Sequence, residues 1–440
     1  MNNKKWMAIL LGGIMAASLA APCSVSAAEK TTLTFWHAMG GTNGEVLQQI
    51  VDDFNASQDE IEIKAEYQGT YDDTITKLKA AMQSDSGLPD VCQMYDVGTK
   101  FMYDSGAVIP VEDKFESTGY DKSSVMEVIS SYYTVDGKQY AMPFNVSTPM
   151  LYYNKDVFEA AGLDPETPPT TYDEVLEDAK KIVESGAAPV GYSQAIYGWF
   201  FEQQLAGLGV TYGNNDNGRK EAVTAVDFDS NGGGLKVFDM WKKLYDSGYF
   251  EDYGTTTADT QTAFFSGQVG MIIESTAILK NAVDSSPFEV GTGYLPRIEQ
   301  NDEGGVIIGG GSLWLTDTGN EANEDAAWKF IEYITTPDVQ AKWSMGTGYF
   351  AINEKAYETD DMKAYLEENP NFETAINQLK DSPVNCNTAG VLSGVQTEAR
   401  LTFNEIMPQV YDGKLTTQDA VDQLAVSVNK AIENYNESIK

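Results

Sequence analysis

Histidine and cysteine, the residues that most often bind metals or act as nucleophile and base, are few and scattered in this chain of 440 residues. His37 is the only histidine, and the three cysteines, Cys23, Cys92 and Cys386, lie far apart. A metal site needs several ligands at close spacing, which one isolated histidine does not supply. No nucleophile elbow, phosphate-binding loop or dinucleotide fingerprint is present either. We therefore expect no metal, no cofactor and no catalytic centre, with His37 packed or at the surface.

Three arginines are the candidates for binding an anion, because a planar guanidinium matches phosphate oxygens. Arg219 lies in the polar stretch 214–220 and is predicted to be solvated. Arg297 follows Pro296 at a predicted strand end, and Arg400 lies in an amphipathic stretch. Position and composition alone select none of the three.

Two further features have a chemical interpretation. The glycine-rich run 309–312 lacks the lysine of a nucleotide-binding loop, so we expect it to present backbone N–H groups to an oxygen-rich ligand. Among 66 acidic residues, some carboxylates will lie close enough together for glycoside hydrolysis. A secreted carbohydrate-active enzyme therefore stays an alternative.

Alternating strands and helices should position these residues. Leu33 and Phe35 predict a strand, and an apolar stripe through 46–54 predicts a helix. A second strand at 61–65, a helix over 75–82 and a third strand at 90–94 follow. Such alternation is typical of an α/β fold. Further on, Thr171 and Glu174 form a capping box that begins a helix, and Gly186 ends it.

The first 27 residues have the pattern of a secretory signal peptide. Lys4 and Lys5 precede an uncharged apolar run, and small residues follow near Ala27. The run is too short to favour a membrane span. The residues before Cys23 fit a lipidation site poorly, because Pro22 precedes it directly. We therefore expect an exported protein without a lipid anchor.

The remaining chain is large and strongly acidic. The formal charge is −37, and removal of Lys4 and Lys5 leaves 27 basic and 66 acidic residues, a net charge of −39. Such a field repels nucleic acids and anionic membrane surfaces, so neither is expected as a partner. About 410 residues exceed a single hydrophobic core, which predicts two lobes. Without a linker between them, the chain should cross several times, with a ligand in the cleft.

Short segments along the chain match a known pattern, in one order. They are 35–39, 69–71, 95–99, 143–149, 151–156, 307–314 and 347–349. In these segments the chain resembles the extracellular solute-binding proteins of ABC importers, the family that includes the maltose receptor. Within the family it most resembles receptors for glycerol 3-phosphate. The resemblance implies a two-lobed α/β fold of the periplasmic-binding-protein type, with interleaved lobes, several hinge crossings and membrane permease subunits as partners of a monomer.

The resemblance also implies a ligand site. Tyr71 and Asp96 match positions that hold the glycerol end, and Trp199 matches a wall of the cleft. The positions that surround the phosphate are matched by Ser147, Ser275, Gly310, Tyr349 and Arg400. The family usually has glutamate in place of Asp96 and a second tryptophan in place of Ile196. Both departures are on the glycerol side, so a glycerophosphodiester such as glycerophosphocholine is a further candidate, and an oligosaccharide is the alternative solute.

These expectations give specific boundaries. The first lobe is predicted to comprise 31–145 and 277–335, and the second lobe 150–272 and 340–440. Segments 145–150 and 274–276 are the predicted hinges. Periplasm is the expected location, or the cell surface if the host lacks an outer membrane.

Overall fold

The computed structural model describes residues 30–84 and 87–439. The predicted signal peptide and Cys23 lie outside the described residues. The strands are β1 Thr31–His37, β2 Ile61–Tyr67, β3 Val91–Tyr95, β4 Val108–Ile109, β5 Thr134–Val135, β6 Lys138–Gln139, β7 Met142–Ser147, β8 Pro149–Asn154, β9 Val190–Ser193, β10 Val269–Ser275, β11 Val290–Gly293 and β12 Gly309–Thr316.

Helices connect and cover these strands. They are α1 Gly41–Ser57, α2 Tyr71–Met82, α3 Thr99–Asp104, α4 Val111–Thr118, α5 Glu127–Ser130, α6 Lys155–Ala160, α7 Tyr172–Ser185, α8 Gly198–Gly207, α9 Asn214–Gly218, α10 Gly233–Asp246, α11 Thr257–Phe265, α12 Leu279–Ser285, α13 Glu321–Ile334, α14 Pro337–Thr347, α15 Asp360–Glu368, α16 Asn371–Asp381, α17 Gln396–Tyr411 and α18 Thr417–Ser438.

Two main sheets divide the molecule. The larger has the order β2-β1-β3-β12-β4, with β7 also paired to β12, and the smaller has the order β11-β8-β10-β9. We call the part built on the larger sheet the first lobe and the part built on the smaller sheet the second lobe. This arrangement confirms the predicted two-lobed α/β fold.

Local sequence explains the elements that begin the first lobe. The strands β1 and β2 pair in parallel, from Thr31 opposite Ile61 to His37 opposite Tyr67. Parallel neighbours need a crossover, which α1 supplies by burying a stripe of Leu47, Ile50, Val51 and Phe54. The next crossover, α2, begins with a capping box in which Thr70 and Asp73 bind each other's backbone.

The second lobe has its own apolar core. Helix α7 begins at the predicted capping box of Thr171 and Glu174 and ends at Gly186, in the left-handed region at φ 76°. Helices α8 and α10 pack with α17 and α18, and Phe201, Trp241 and Phe403 meet in the core they form. The last two helices of the chain therefore complete a core that begins at β8.

Two of the crossings between the lobes lie side by side. The strand β7 ends in the larger sheet at Ser147, and β8 begins in the smaller sheet at Pro149. The peptide N–H of Thr276, directly after β10, donates to the carbonyl of Thr148 at 2.8 Å. In return the N–H of Thr148 donates to Oγ1 of Thr276 at 3.1 Å. Both crossings fall within the segments predicted as hinges.

The predicted lobe boundaries differ from the structure in two places. The strand β11, assigned to the first lobe by 277–335, pairs with β8 in the smaller sheet. Helix α14, mostly assigned to the second lobe by 340–440, packs in the first-lobe core, where the Trp343 ring stacks on Phe144 at 4.6 Å. A helical apolar stripe shows that a face is buried, but it does not show which sheet covers that face.

Candidate functional site

The candidate site lies where the two lobes meet. The first lobe contributes Tyr71 at the start of α2, Asp96 in the turn after β3, and Gly310 in β12. The second lobe contributes Trp199 of α8 and Arg400 of α17. These residues, far apart in sequence, are brought together because β3, β12, α8 and α17 end or pass at the cleft.

Arg400 is held between carboxylates of both lobes. Its Nε and Nη2 donate to the two carboxylate oxygens of Glu202 at 2.8 and 2.7 Å. The same Nη2 donates to Oδ2 of Asp96, across the cleft, at 2.7 Å. All three side chains are less than a tenth exposed. The ion pair between Asp96 and Arg400 therefore joins the lobes directly.

The charges of this group perturb one another. Burial acts to lower the pKa of Arg400, but the carboxylates of Asp96 and Glu202 outweigh it and raise that pKa well above its ordinary value. Burial raises the pKa of Glu202, while Arg400 opposes the shift. Gln396 adds a further bond, donating from Nε2 to Glu202 at 2.9 Å. One guanidinium faces two carboxylates, a formal charge of −1 when both are ionised.

Tyrosines line the first-lobe side of the site. Nδ2 of Asn145 donates to the hydroxyl of Tyr71 at 2.6 Å, and the Tyr71 ring stacks on Tyr95 with centroids 5.1 Å apart. The Tyr95 hydroxyl is 2.8 Å from Oγ1 of Thr397, in the second lobe. Burial raises the pKa of both Tyr71 and Tyr349. These phenols are therefore neutral hydroxyls at neutral pH.

The glycines of β12 allow close contact with both lobes. Gly310 has φ +88°, and a Cβ there would lie 1.9 Å from the carbonyl oxygen of Asn145. A Cβ on Gly309 would lie 2.7 Å from the indole of Trp199. The indole of Trp199 thus packs directly on the backbone of Gly309 in the first lobe. Among the described residues, its buried Nε1 has no hydrogen-bond partner.

The two predicted serines lie at the lobe crossings. Ser147 is buried at the end of β7, opposite Gly309 of β12. The hydroxyl of Ser275 accepts from the N–H of Ala277 at 3.2 Å and so caps the turn that follows β10. This bond is one that a serine commonly makes in a turn. A ligand role for either serine stays a prediction.

Sequence reasoning missed Glu202, Asn145 and Gln396. A signal for Glu202 was available: it is the only charged residue of α8, in the apolar run Trp199, Phe200 and Phe201. Charged side chains are almost never fully buried unless paired, so an acid there predicts a buried cation. Ile196, which replaces the second tryptophan of the family, lies fully buried in the second-lobe core.

The prediction for Arg219 was wrong. The side chain is half-buried rather than solvated, and its guanidinium donates to backbone carbonyls of 132, 389 and 390. The polar side chains near Arg219 form hydrogen bonds within their own turn, and the composition of the stretch did not show this. Arg297, by contrast, is exposed.

Two further properties of the described residues bear on function. Within 30–84 and 87–439, no helix combines the length and apolar character that a membrane crossing needs. The same residues contain no group of three or more histidine, cysteine or carboxylate side chains arranged to hold a metal ion.

Fold and site together are those of a two-lobed solute-binding protein, and comparison with known proteins places the chain in a family. Residues 49–374 match the model of the bacterial extracellular solute-binding proteins. The chain belongs to this family. It is 31% identical over 417 residues to the sn-glycerol-3-phosphate-binding periplasmic protein UgpB of Escherichia coli K12, covering 93% of this chain and 94% of that protein.

Solved structures agree with this assignment. A cyclic α-maltosyl-1,6-maltose binding protein from Arthrobacter globiformis is 26% identical, with TM-score 0.76, over 92% of this chain and 100% of that one. UgpB from Mycobacterium tuberculosis, solved with glycerophosphocholine, is 20% identical, with TM-score 0.78, over 92% and 99%. The predicted family is confirmed. This protein is an ABC solute-binding protein of the type that includes UgpB and the maltose-binding proteins.

Proposed function

We propose that this chain is the receptor of an ABC importer for glycerophosphodiesters, with glycerol 3-phosphate as a weaker solute. The observation that carries the proposal is the pairing of Arg400 with both Asp96 and Glu202. Together these three groups have a formal charge of −1. A phosphate monoester adds nearly two negative charges at neutral pH, a diester adds one, and a zwitterionic diester such as glycerophosphocholine adds none overall.

The relatives support a glycerophosphoryl solute. The Escherichia coli relative is named for binding sn-glycerol 3-phosphate, and the structure of the Mycobacterium tuberculosis protein contains glycerophosphocholine. In this chain we assign Tyr71 and Asp96 to vicinal hydroxyls of the solute, the tyrosine as a neutral donor and the carboxylate as an acceptor. Arg400 and the backbone of Gly310 remain the groups that we assign to the phosphate.

The proposed mechanism is lobe closure without a catalytic step. A solute that binds one lobe stabilises the closed state when the other lobe adds contacts to it. Arg400 belongs to the second lobe and Asp96 to the first, so a solute that binds both would link the lobes. The closed protein would then dock on the permease subunits of the importer. Exported, periplasmic or cell-surface location and a monomeric state are part of this proposal.

Calorimetry with three solutes tests the proposal. At pH 7.5 we expect glycerophosphocholine to bind more tightly than glycerol 3-phosphate, and maltose not to bind. Lowering the pH toward 6 protonates the monoester in part and should narrow the difference, because its charge approaches that of a diester. Maltose binding without any response to either phosphate compound would overturn the solute assignment.

A substitution in the site gives a sharper test. Glu202→Gln keeps the shape of the side chain and removes one negative charge beside Arg400. We expect the affinity for glycerol 3-phosphate to rise relative to that for glycerophosphocholine by roughly tenfold, the ratio that about 1.4 kcal/mol produces. Glu405→Gln is the matched control, since Glu405 is exposed on the same helix as Arg400. An unchanged ratio in Glu202→Gln would contradict the charge argument.

A neutral oligosaccharide is the second candidate solute. The charge of −1 also suits a sugar, because its hydroxyls donate to carboxylates and its apolar ring faces pack on aromatic side chains. The Arthrobacter globiformis structure is titled as a binding protein for such a sugar. The carbohydrate-active enzyme has less support, because Asp96 and Glu202 are both ion-paired with Arg400. A glycosidase would need one of two carboxyl groups to be protonated as an acid.

A further inference from the structure

A left-handed turn precedes Arg219 in the second lobe. Asn215, Asp216 and Asn217 have φ values of 57°, 56° and 58° within α9. Such backbone costs roughly 1–2 kcal/mol per residue, and asparagine and aspartate tolerate it better than most other side chains. Strained backbone of this kind persists when the surrounding structure holds it, and it often marks a functional segment.

Asn217 is the residue that fixes this turn. Its Oδ1 accepts from the N–H groups of Tyr212 and Gly213 at 2.8 and 2.9 Å. Its Nδ2 donates to the carbonyl of Cys386 at 2.9 Å. The turn is therefore bound to the chain on both sides, and the direction of the next side chain, Arg219, is set by it.

Arg219 makes a contact between the lobes. Its Nη1 donates to the carbonyl of Tyr132, in the first lobe, at 2.7 Å, and its guanidinium carbon lies 5.1 Å from the centroid of the Tyr132 ring. Its Nε donates to the carbonyl of Gly390 at 3.0 Å, and Nη2 donates to that of Ala389. Three N–H groups of one side chain thus hold three backbone positions.

The electrostatic setting of Arg219 is unlike that of Arg400. Within the described residues, no carboxylate lies within ion-pair distance of Arg219, so its partners are carbonyl dipoles and one aromatic face. Burial lowers its pKa to about 10, so it stays charged at neutral pH. Its neighbour Tyr132 lies close enough to Asp96 and Arg400 for their charges to affect the Tyr132 pKa, which burial raises. Tyr132 thus contacts Arg219 and lies near the charges of Asp96 and Arg400.

From this geometry we infer that Arg219 is a positioning residue that stabilises the closed arrangement of the lobes from outside the solute site. Opening the cleft would separate its guanidinium from the Tyr132 carbonyl and ring while leaving the turn in place. Arg219 would thus set how often the lobes close before a solute binds, and would raise the affinity for any solute that needs closure. The inference does not depend on which solute is imported.

Small-angle X-ray scattering of the full mature protein without added solute tests the lobe arrangement directly. We expect Arg219→Gln and Arg219→Ala to have a larger radius of gyration than the unsubstituted protein. The radius of gyration of Arg219→Lys should lie between that of the unsubstituted protein and those of the other two variants, because lysine keeps the charge but reaches fewer carbonyls. Arg297→Ala is the matched control, since Arg297 is exposed and the described residues give its side chain no hydrogen bond. An unchanged radius of gyration in folded Arg219→Gln would overturn the inference.

Affinity gives a second measurement. With glycerophosphocholine as the probe, Arg219→Gln should bind roughly tenfold more weakly, as expected for one charge-assisted hydrogen bond lost between the lobes. A merely structural role would lower the melting temperature and leave both the radius of gyration and the affinity unchanged.

If Arg219→Gln and Arg219→Ala do not fold, Arg219→Lys provides the comparison. If the unsubstituted protein does not bind glycerophosphocholine, the proposed solute is wrong, and scattering still tests Arg219.

Discussion

At the residue scale, Arg400 and Arg219 show which contacts could be predicted from the sequence and which could not. The resemblance selected Arg400 and Asp96, and the structure brings them within 2.7 Å of each other. The resemblance did not include Glu202, which accepts two hydrogen bonds from the same guanidinium. Ion pairs between distant segments depend on how α8 and α17 pack, which no local pattern specifies. The polar neighbours of Arg219 led to the prediction that its side chain is solvated. That prediction was wrong because composition does not show which backbone carbonyls the fold brings close to the guanidinium.

His37 provides a prediction of pH dependence. It is 6% exposed, and burial lowers its pKa to about 4 from an ordinary value of 6.5. Between these values the unfolded chain binds the proton and the folded chain does not. The contribution of His37 to stability therefore rises with pH from about 4 to 6.5 and is lost as the pH falls, by roughly 3 kcal/mol in total.

Urea denaturation at pH 4.5 and pH 7 measures this contribution. We expect the stability difference between the two pH values to be smaller in His37→Gln than in the unsubstituted protein. Carboxylates also titrate in this range, but they do so in both proteins, so the comparison isolates the histidine. Equal pH dependence in the two proteins would show that His37 is accessible to protons in the folded state.

At the scale of elements, local sequence patterns predicted where several strands and helices begin or end, because such positions depend on residues that are neighbours in the sequence. The strand at Leu33 and Phe35, the capping box at Thr171 and the C-cap at Gly186 all occur where the sequence indicated them. Sheet membership was less predictable. The short strand β11 carries four residues, and its pairing with β8 depends on contacts more than a hundred residues away.

Gly310 gives a prediction about β12. Alanine there would require φ +88° and would place a Cβ 1.9 Å from the carbonyl oxygen of Asn145, so both strain and a backbone clash act against it. We expect Gly310→Ala to destabilise the protein by at least roughly 1–3 kcal/mol, measured by denaturation. Gly319→Ala is the matched control, because Gly319 also has a positive φ, +69°, but open space around it. Equal losses in the two variants would show that the clash is relieved by a backbone shift.

At the scale of the whole molecule, the net charge and the chain length predicted which partners are not expected and how many lobes the chain forms. The acidic composition excluded nucleic acid as an expected partner, and the length predicted two lobes. Neither observation could select a solute, because the net charge of −37 is a total over the whole sequence and specifies no site. In our proposal the solute is selected by three buried charges, Asp96, Glu202 and Arg400, whose formal sum is −1.

The total charge nevertheless affects how fast solutes arrive. A strongly negative molecule repels an anion, and salt shortens the range of this repulsion from about 30 Å at 0.01 M to about 8 Å at 0.15 M. We expect the association rate of glycerol 3-phosphate to rise roughly tenfold over this range. Stopped-flow tryptophan fluorescence measures it, with zwitterionic glycerophosphocholine as the control. An equal response of the two solutes to salt would contradict long-range repulsion.

The interleaving of the lobes has a consequence for the order in which the chain can fold. The second-lobe core joins Phe201 and Trp241 to Phe403, Leu424 and Val428 of the last two helices. The ribosome releases the amino-terminal residues first, so this core must wait for α17 and α18 to emerge. Until then, the faces of α8 and α10 that pack on α17 and α18 stay uncovered. In a chain that stops before Gln396, the second-lobe core should therefore stay incompletely packed.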